Sequence, residues 1–109
     1  MTFRILMNRK ALENIRSLSE KGWRIVMENL KTLQEGPYPG SGSDRECLHV
    51  HGREDTHRLH ISRTFTAFYR IHEQELEVHV LAVMSIEQAH KRYGRFRPLF
   101  GSIEMLHTL

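Results

Sequence analysis

Cysteine is nearly missing from this sequence: Cys47 stands alone. An internal disulfide is therefore excluded, and the chain reads as one from a reducing compartment. No cationic helix start precedes Cys47, so it reads as a buried or half-buried thiol rather than a nucleophile. Long apolar runs are also absent, and none approaches the about 18 residues that cross a bilayer. The opening MTFRILMNRK has too short an apolar segment for a signal peptide and no small-residue cleavage site. The expectation is a cytoplasmic protein with no membrane partner. Proline is scarce at three residues, and two of them, Pro37 and Pro39, fall with three glycines in GPYPGSGSD. That segment is a loop, too short to link two domains, and reads as a flexible connector. Acidic residues are missing from Gln88 to Ile103, where Lys91, Arg92, Arg95 and Arg97 all lie. Internal repeats and low-complexity tracts are absent as well.

What is present fits one soluble domain: 109 residues, 39% hydrophobic and 27% charged. Lys and Arg number 16 against 13 acidic residues, for a formal net charge of +3. So small an excess does not by itself define a nucleic-acid binder. Distribution says more, since seven of the eight histidines lie between His49 and His90.

Alternation in TFRILM places Phe3, Ile5 and Met7 on one face of a short strand. Asn8 is the expected N-cap of a helix whose stripe is Ala11, Leu12, Ile15 and Leu18. SLSE, from Ser17 to Glu20, has the form of a capping box and predicts a second helix starting there. That helix carries Trp23, Val26, Met27, Leu30 and Leu33 on one side, all expected in the core, and Gly36 ends it. Then come CLHVH, HRLHIS, FTAFYRI and LEVHVLAVM, which read as strands, CLHVH being the weakest. Connections of hairpin length, SRT and HEQE, predict antiparallel pairing in sequence order. Ser85 can cap a last short helix, IEQAHKRY, and RPLFGSIEMLHTL follows as a further helical turn or a loose tail.

The fold class is therefore α+β: a strand, an antiparallel helical hairpin, a three- to four-stranded antiparallel twisted sheet and a short C-terminal helix. The helices need one face of that sheet, which Leu59, Ile61, Phe65, Ala67, Tyr69 and Ile71 supply. The pleat then sends Arg58, His60, Thr66, Phe68, Arg70, His72, Glu77 and His79 to the other, open face. A polar open face is also what plain solvation would produce. His49 and His51, with His57 and His60, raise a metal reading, but no carboxylate or cysteine completes a known spacing. Neither a metal nor a cofactor is expected. PGSG lacks the following Lys-Ser/Thr of a phosphate-binding loop.

The element order, PYPGSGSD, the strand pair HRLHISRTFTAFYRI, LEVHVLAV and HKRYGRF together resemble the RelE/ParE superfamily of toxins from toxin–antitoxin systems. The resemblance covers roughly residues 3–96, which sets residues 1–96 as a RelE-like domain and 97–109 as a C-terminal extension. It implies a toxin held by a cognate antitoxin protein. In the RelE branch the activity is ribosome-dependent, metal-independent cleavage of mRNA, which inhibits translation. In the ParE branch the target is a topoisomerase. Cleavage needs a base for the 2′-OH, cations for the phosphorane-like charge and an acid for the 5′ oxygen. On this resemblance Arg58, Arg63 and Arg70 face the phosphate, His60 and His90 are base and acid in an order left open, and Tyr93 stacks a base or orients the 2′-OH. Lys91, Arg92 and Arg95 would grip RNA backbone, although basic residues at a helix C-terminus also serve the macrodipole alone. Two arginines usual in the family are absent, their places taken by Thr66 or Ala67 and by Glu87 and Gln88. Either His60, Arg63 and His90 stand in for them, or the chain is a degenerate module that only binds an antitoxin.

Overall fold

The structure, a computed structural model, describes residues 2–40, 44–50, 53–92 and 105–108, and gives the backbone alone for 49, 50, 53–55, 90–92 and 105–108. Strand β1 (Arg4–Asn8) leads into helices α1 (Arg9–Arg16) and α2 (Glu20–Lys31), followed by one 3₁₀ turn (Thr32–Gln34). Strands β2 (Arg45–Val50), β3 (Arg53–Ile61), β4 (Phe65–His72) and β5 (Glu77–Ser85) follow, then helix α3 (Ile86–Arg92) and strand β6 (Met105–Thr108). Among the described residues the sheet has the order β2-β3-β4-β5-β1-β6. Strands β2 to β5 pair antiparallel in sequence order, as their short connections require. β1 lies parallel beside β5, and β6 adds to its far edge, so residues 105–108 are strand rather than helix or loose tail.

Helix α1 begins as its sequence predicts. The Asn8 side chain accepts from the Ala11 amide at 2.7 Å and donates to the Leu81 carbonyl at 2.7 Å, fixing the helix start to β5. The capping box at Ser17–Glu20 does not form. Ser17 is the C-cap of α1, and Ser19 caps α2 by accepting from the Gly22 amide at 3.1 Å. Either serine has a suitable side chain; the reversal of the chain between the helices consumes Ser17 and Leu18 and leaves Ser19 facing the free amides.

The main core lies between the helical hairpin and one sheet face, where Ile5, Ile15, Val26, Leu30, Leu59, Ile61 and Val80 are fully buried. Each such aliphatic side chain contributes about 1.5–3 kcal/mol by leaving water. Trp23 departs from the expected stripe and is 42% exposed. Gly22, Val26 and Leu30 form the inward line of α2, which turns Trp23 toward its flank.

The second sheet face is not open throughout. Phe68 is fully buried there with Leu48, Leu81 and Met84, under Ala89 of α3. Thr66 is buried too, its hydroxyl donating to the Leu59 carbonyl at 3.3 Å. A bulge opposite Phe68 and Tyr69, where pairing jumps from Ala82 to Val80, inserts Leu81 into this second cluster. Residues 36–40 are held rather than slack. The buried Tyr69 hydroxyl donates to the Pro37 carbonyl at 2.7 Å, and Tyr38 packs edge-on to Phe3 while donating to Glu73.

These placements separate the two serines and two apolar residues of the hairpin. Ser19→Ala should cost about 1 kcal/mol in denaturant unfolding and Ser17→Ala distinctly less. Leu30→Ala should cost about 2–5 kcal/mol, whereas Trp23→Ala, at an exposed site, should cost much less.

Candidate RNA-facing site

Pairing of β2 with β3 sets Glu46 opposite Arg58, and pairing of β3 with β4 sets Arg58 opposite Phe68 and His60 opposite Thr66. Directly paired residues share a face, so Glu46, Arg58 and His60 project from the side away from α1 and α2. Glu46 Oε1 receives both neighbours: Arg58 Nη2 makes a short ion pair with it, and His60 Nε2 lies 3.5 Å away. The Arg58 side chain is 17% exposed, while His60 and Glu46 are 40% and 44% exposed. The guanidinium is thus anchored low in the sheet with a carboxylate and an imidazole standing above it in water.

Of the residues singled out from sequence, Arg58 and His60 are brought together. Arg63 is exposed in the turn of residues 62–64, which the positive φ of 57° at Ser62 makes tight. Arg70 shares the face but sits in another row, opposite Thr56 and His79. The side chains of His90, Lys91 and Arg92, and the whole of Tyr93 and Arg95, lie outside the described residues. His57 faces the helix side, stacked on Tyr69 at 5.3 Å, so it cannot join His60 around one ion. Among the described residues no group of three or more His, Cys, Asp or Glu could hold a metal. Cys47 is half-buried and in no disulfide.

Glu46 is the member that sequence reasoning missed. Its signal is non-local: only the β2–β3 register, carried one residue before Cys47, sets a carboxylate beside Arg58.

A second polar group lies on the same face across the sheet. His72 and His79 stack at 3.8 Å, His79 Nε2 lies 3.0 Å from Glu77 Oε1, and Arg4 pairs with Glu77. The hydrogen bond from His79 and then that from Arg4 hold the Glu77 carboxyl below the usual carboxylate range.

No protein-family model matches the sequence, and no curated protein matches it either. Solved structures do match. The RelBE2 toxin–antitoxin complex of Mycobacterium tuberculosis aligns with a TM-score of 0.67 at 17% identity, over 78% of this chain and 99% of that one. An E. coli RelE toxin with two arginines changed to alanine, in the free state, aligns at 0.68 and 17% identity, over 90% and 98%. The archaeal RelE–RelB complex from Pyrococcus horikoshii aligns at 0.64 and 20% identity, over 78% and 96%. The class that these alignments define is a small α+β fold. It is the RelE fold.

Because the Glu77 carboxyl is more acidic folded than unfolded, its interactions stabilise the protein above the ordinary carboxylate range and fade as pH falls through that lowered value. Glu77→Gln should therefore lower the melting temperature at pH 7. The gap to wild type should close below about pH 4, as read by thermal melts across pH.

Proposed function

We propose that this chain is the toxin of a type II toxin–antitoxin pair and a ribosome-dependent mRNA endoribonuclease that inhibits translation in the cytoplasm. The RelE fold supports the toxin assignment, and the solved complexes with antitoxins support a cognate antitoxin as partner. The observation that carries the activity is the meeting of Arg58 and His60 on one oxygen of Glu46.

These three groups suffice for metal-independent cleavage. The Glu46 carboxylate takes the 2′-OH proton, and O2′ attacks phosphorus in line. Arg58, released from Glu46 as that carboxylate protonates, stabilises charge on the non-bridging oxygens with a fork of N–H donors. His60, protonated, gives its proton to O5′ as the P–O5′ bond breaks. The products are a 2′,3′-cyclic phosphate and a 5′-hydroxyl. Arg63 and Arg70 on the described surface, with His90, Lys91, Arg92, Tyr93 and Arg95, are assigned to holding RNA. Because Glu46 and His60 stand so exposed, the site holds a phosphodiester poorly by itself, and the ribosome supplies the positioning.

A second reading, an antitoxin-binding module without catalysis, is favoured by Thr66. Where the resemblance implies an arginine, this chain has Thr66 or Ala67, both buried, with Thr66 hydrogen-bonded to Leu59.

Induced expression followed by mapping of mRNA 5′ ends tests the activity. Cuts should appear inside translated reading frames and vanish from messages that are not translated. On purified ribosomes, Glu46→Gln and His60→Ala should each lower cleavage by about 10²–10⁴-fold while melting near wild type. Growth arrest over intact transcripts removes the nuclease assignment, and unchanged cleavage by both variants removes the site.

A further inference from the structure

Glu46 is the least secured member of the group it forms with Arg58 and His60. It stands on β2, which among the described residues ends the sheet and has β3 as its one strand neighbour. An edge strand lacks the second ladder that holds a central strand in register. The β2–β3 ladder is itself irregular, with a shift between Leu48 and Val50. A further hold on β2 comes from the residue just before Glu46.

Arg45 lies opposite the core residue Leu59, so its side chain points to the helix side while Glu46 points away. That side chain is 7% exposed. Its guanidinium grips two places at once. Nη1 lies 2.6 Å from Asp44 Oδ1, and Nη2 donates to Thr32 Oγ1 at 2.5 Å. Thr32 begins the 3₁₀ turn at the end of α2, and its hydroxyl donates in turn to the Asn29 carbonyl at 2.6 Å. Asp44 is tied to the site as well, since its carbonyl accepts from the His60 amide at 2.9 Å. The start of β2 is therefore fastened to the helical hairpin on one side and to the His60 backbone on the other.

Stability alone does not account for this arrangement. Nε of Arg45 is buried with no hydrogen-bond partner among the described residues. A guanidinium taken out of water with a donor left over carries a desolvation penalty that an apolar side chain in the same space would avoid. What an apolar side chain would lack is direction. A planar fork fixes both the distance and the angle between the groups it holds. Such control matters for a carboxylate one residue away that meets Arg58 and His60 on a single oxygen.

We propose that Arg45 is a positioning residue of the nuclease site: its buried guanidinium locks the start of β2 to Asp44 and Thr32 and thereby holds Glu46 within reach of Arg58 and His60. This role rests on the nuclease reading given above. Arg45 touches no reacting atom and acts through Glu46 from the opposite face of the sheet.

Cleavage of mRNA on purified ribosomes tests the role. Arg45→Met keeps an unbranched stem and removes the fork; it should lower kcat by about 10–10²-fold with KM unchanged. Thr32→Val removes one of the two anchors at an exposed position, should lower kcat by less, and carries the test if Arg45→Met fails to melt cooperatively. In a Glu46→Gln background Arg45→Met should bring no further loss, because the group it positions is already gone. Amide exchange followed by NMR needs no cleavage. In Arg45→Met the His60 amide should exchange about tenfold faster, while the Ala11 amide, held by Asn8, keeps its wild-type rate. A wild-type protein that cuts nothing removes the nuclease reading, and with it any chemistry for Arg45 to serve. Wild-type cleavage with both variants at full rate overturns the positioning role alone, as does an equal loss from Arg45→Met in the Glu46→Gln background. A His60 amide exchanging at the wild-type rate in both variants overturns it as well.

Discussion

The pleat of the β3–β4 hairpin governs where everything else in this molecule can sit. Leu59, Ile61, Ala67 and Tyr69 point to one side and are buried under the helices. Arg58 and His60 must therefore point to the other. A slip of one residue in register would bury a guanidinium in the main core and expose four apolar side chains, which neither face can bear. Core packing and site geometry are consequently one constraint read from two sides. Pairing propagates it in both directions, to Glu46 on β2 and through the Leu81 bulge to Ala82 and Met84 on β5.

The second face is divided rather than open. α3 covers the middle with Ala89 over Phe68, Leu81 and Met84, leaving polar groups on either side of the apolar strip. On one side the Arg58 guanidinium is pinned by Glu46 and half-sunk in the sheet, whereas His60 keeps water access. On the other side Glu77 is shared by His79 and Arg4, tying β5 to β1 across a parallel pair.

Much of this was legible in the residues and some was not, for identifiable reasons. Local signals read truly: Asn8 and Ser85 sit at caps, with Ser85 and Gln88 exchanging hydrogen bonds at 3.2 Å, and period-two alternation put Arg58 and His60 on the face away from the helices. The capping-box pattern selects Ser17 over Ser19 and misleads, because both precede the helix and the choice depends on how tightly the chain reverses. Trp23 fits a helical stripe by spacing alone. The stripe is wider than the sheet can cover, and the smaller Gly22 and Val26 take the close contact instead. Glu46, the Tyr69–Pro37 bond and β6 depend on partners distant in sequence, so no local pattern could announce them.

Alignment of over three quarters of this chain with RelE structures at 17–20% identity shows which features the fold requires. An apolar stripe, a capped hairpin and a two-faced sheet survive with few shared residues, since packing asks for shape and hydrophobicity rather than identity. Chemistry has no such tolerance. Thr66 and Ala67 are both buried and bring no charge to β4, whereas Arg58 on β3 and Arg63 in the hairpin turn are cations. Charge is segregated in the same manner: the surplus sits on the hairpin, behind the sheet, while elsewhere in the chain acids and bases balance. The face carrying Arg58 therefore offers short, directional contacts rather than a long-range field.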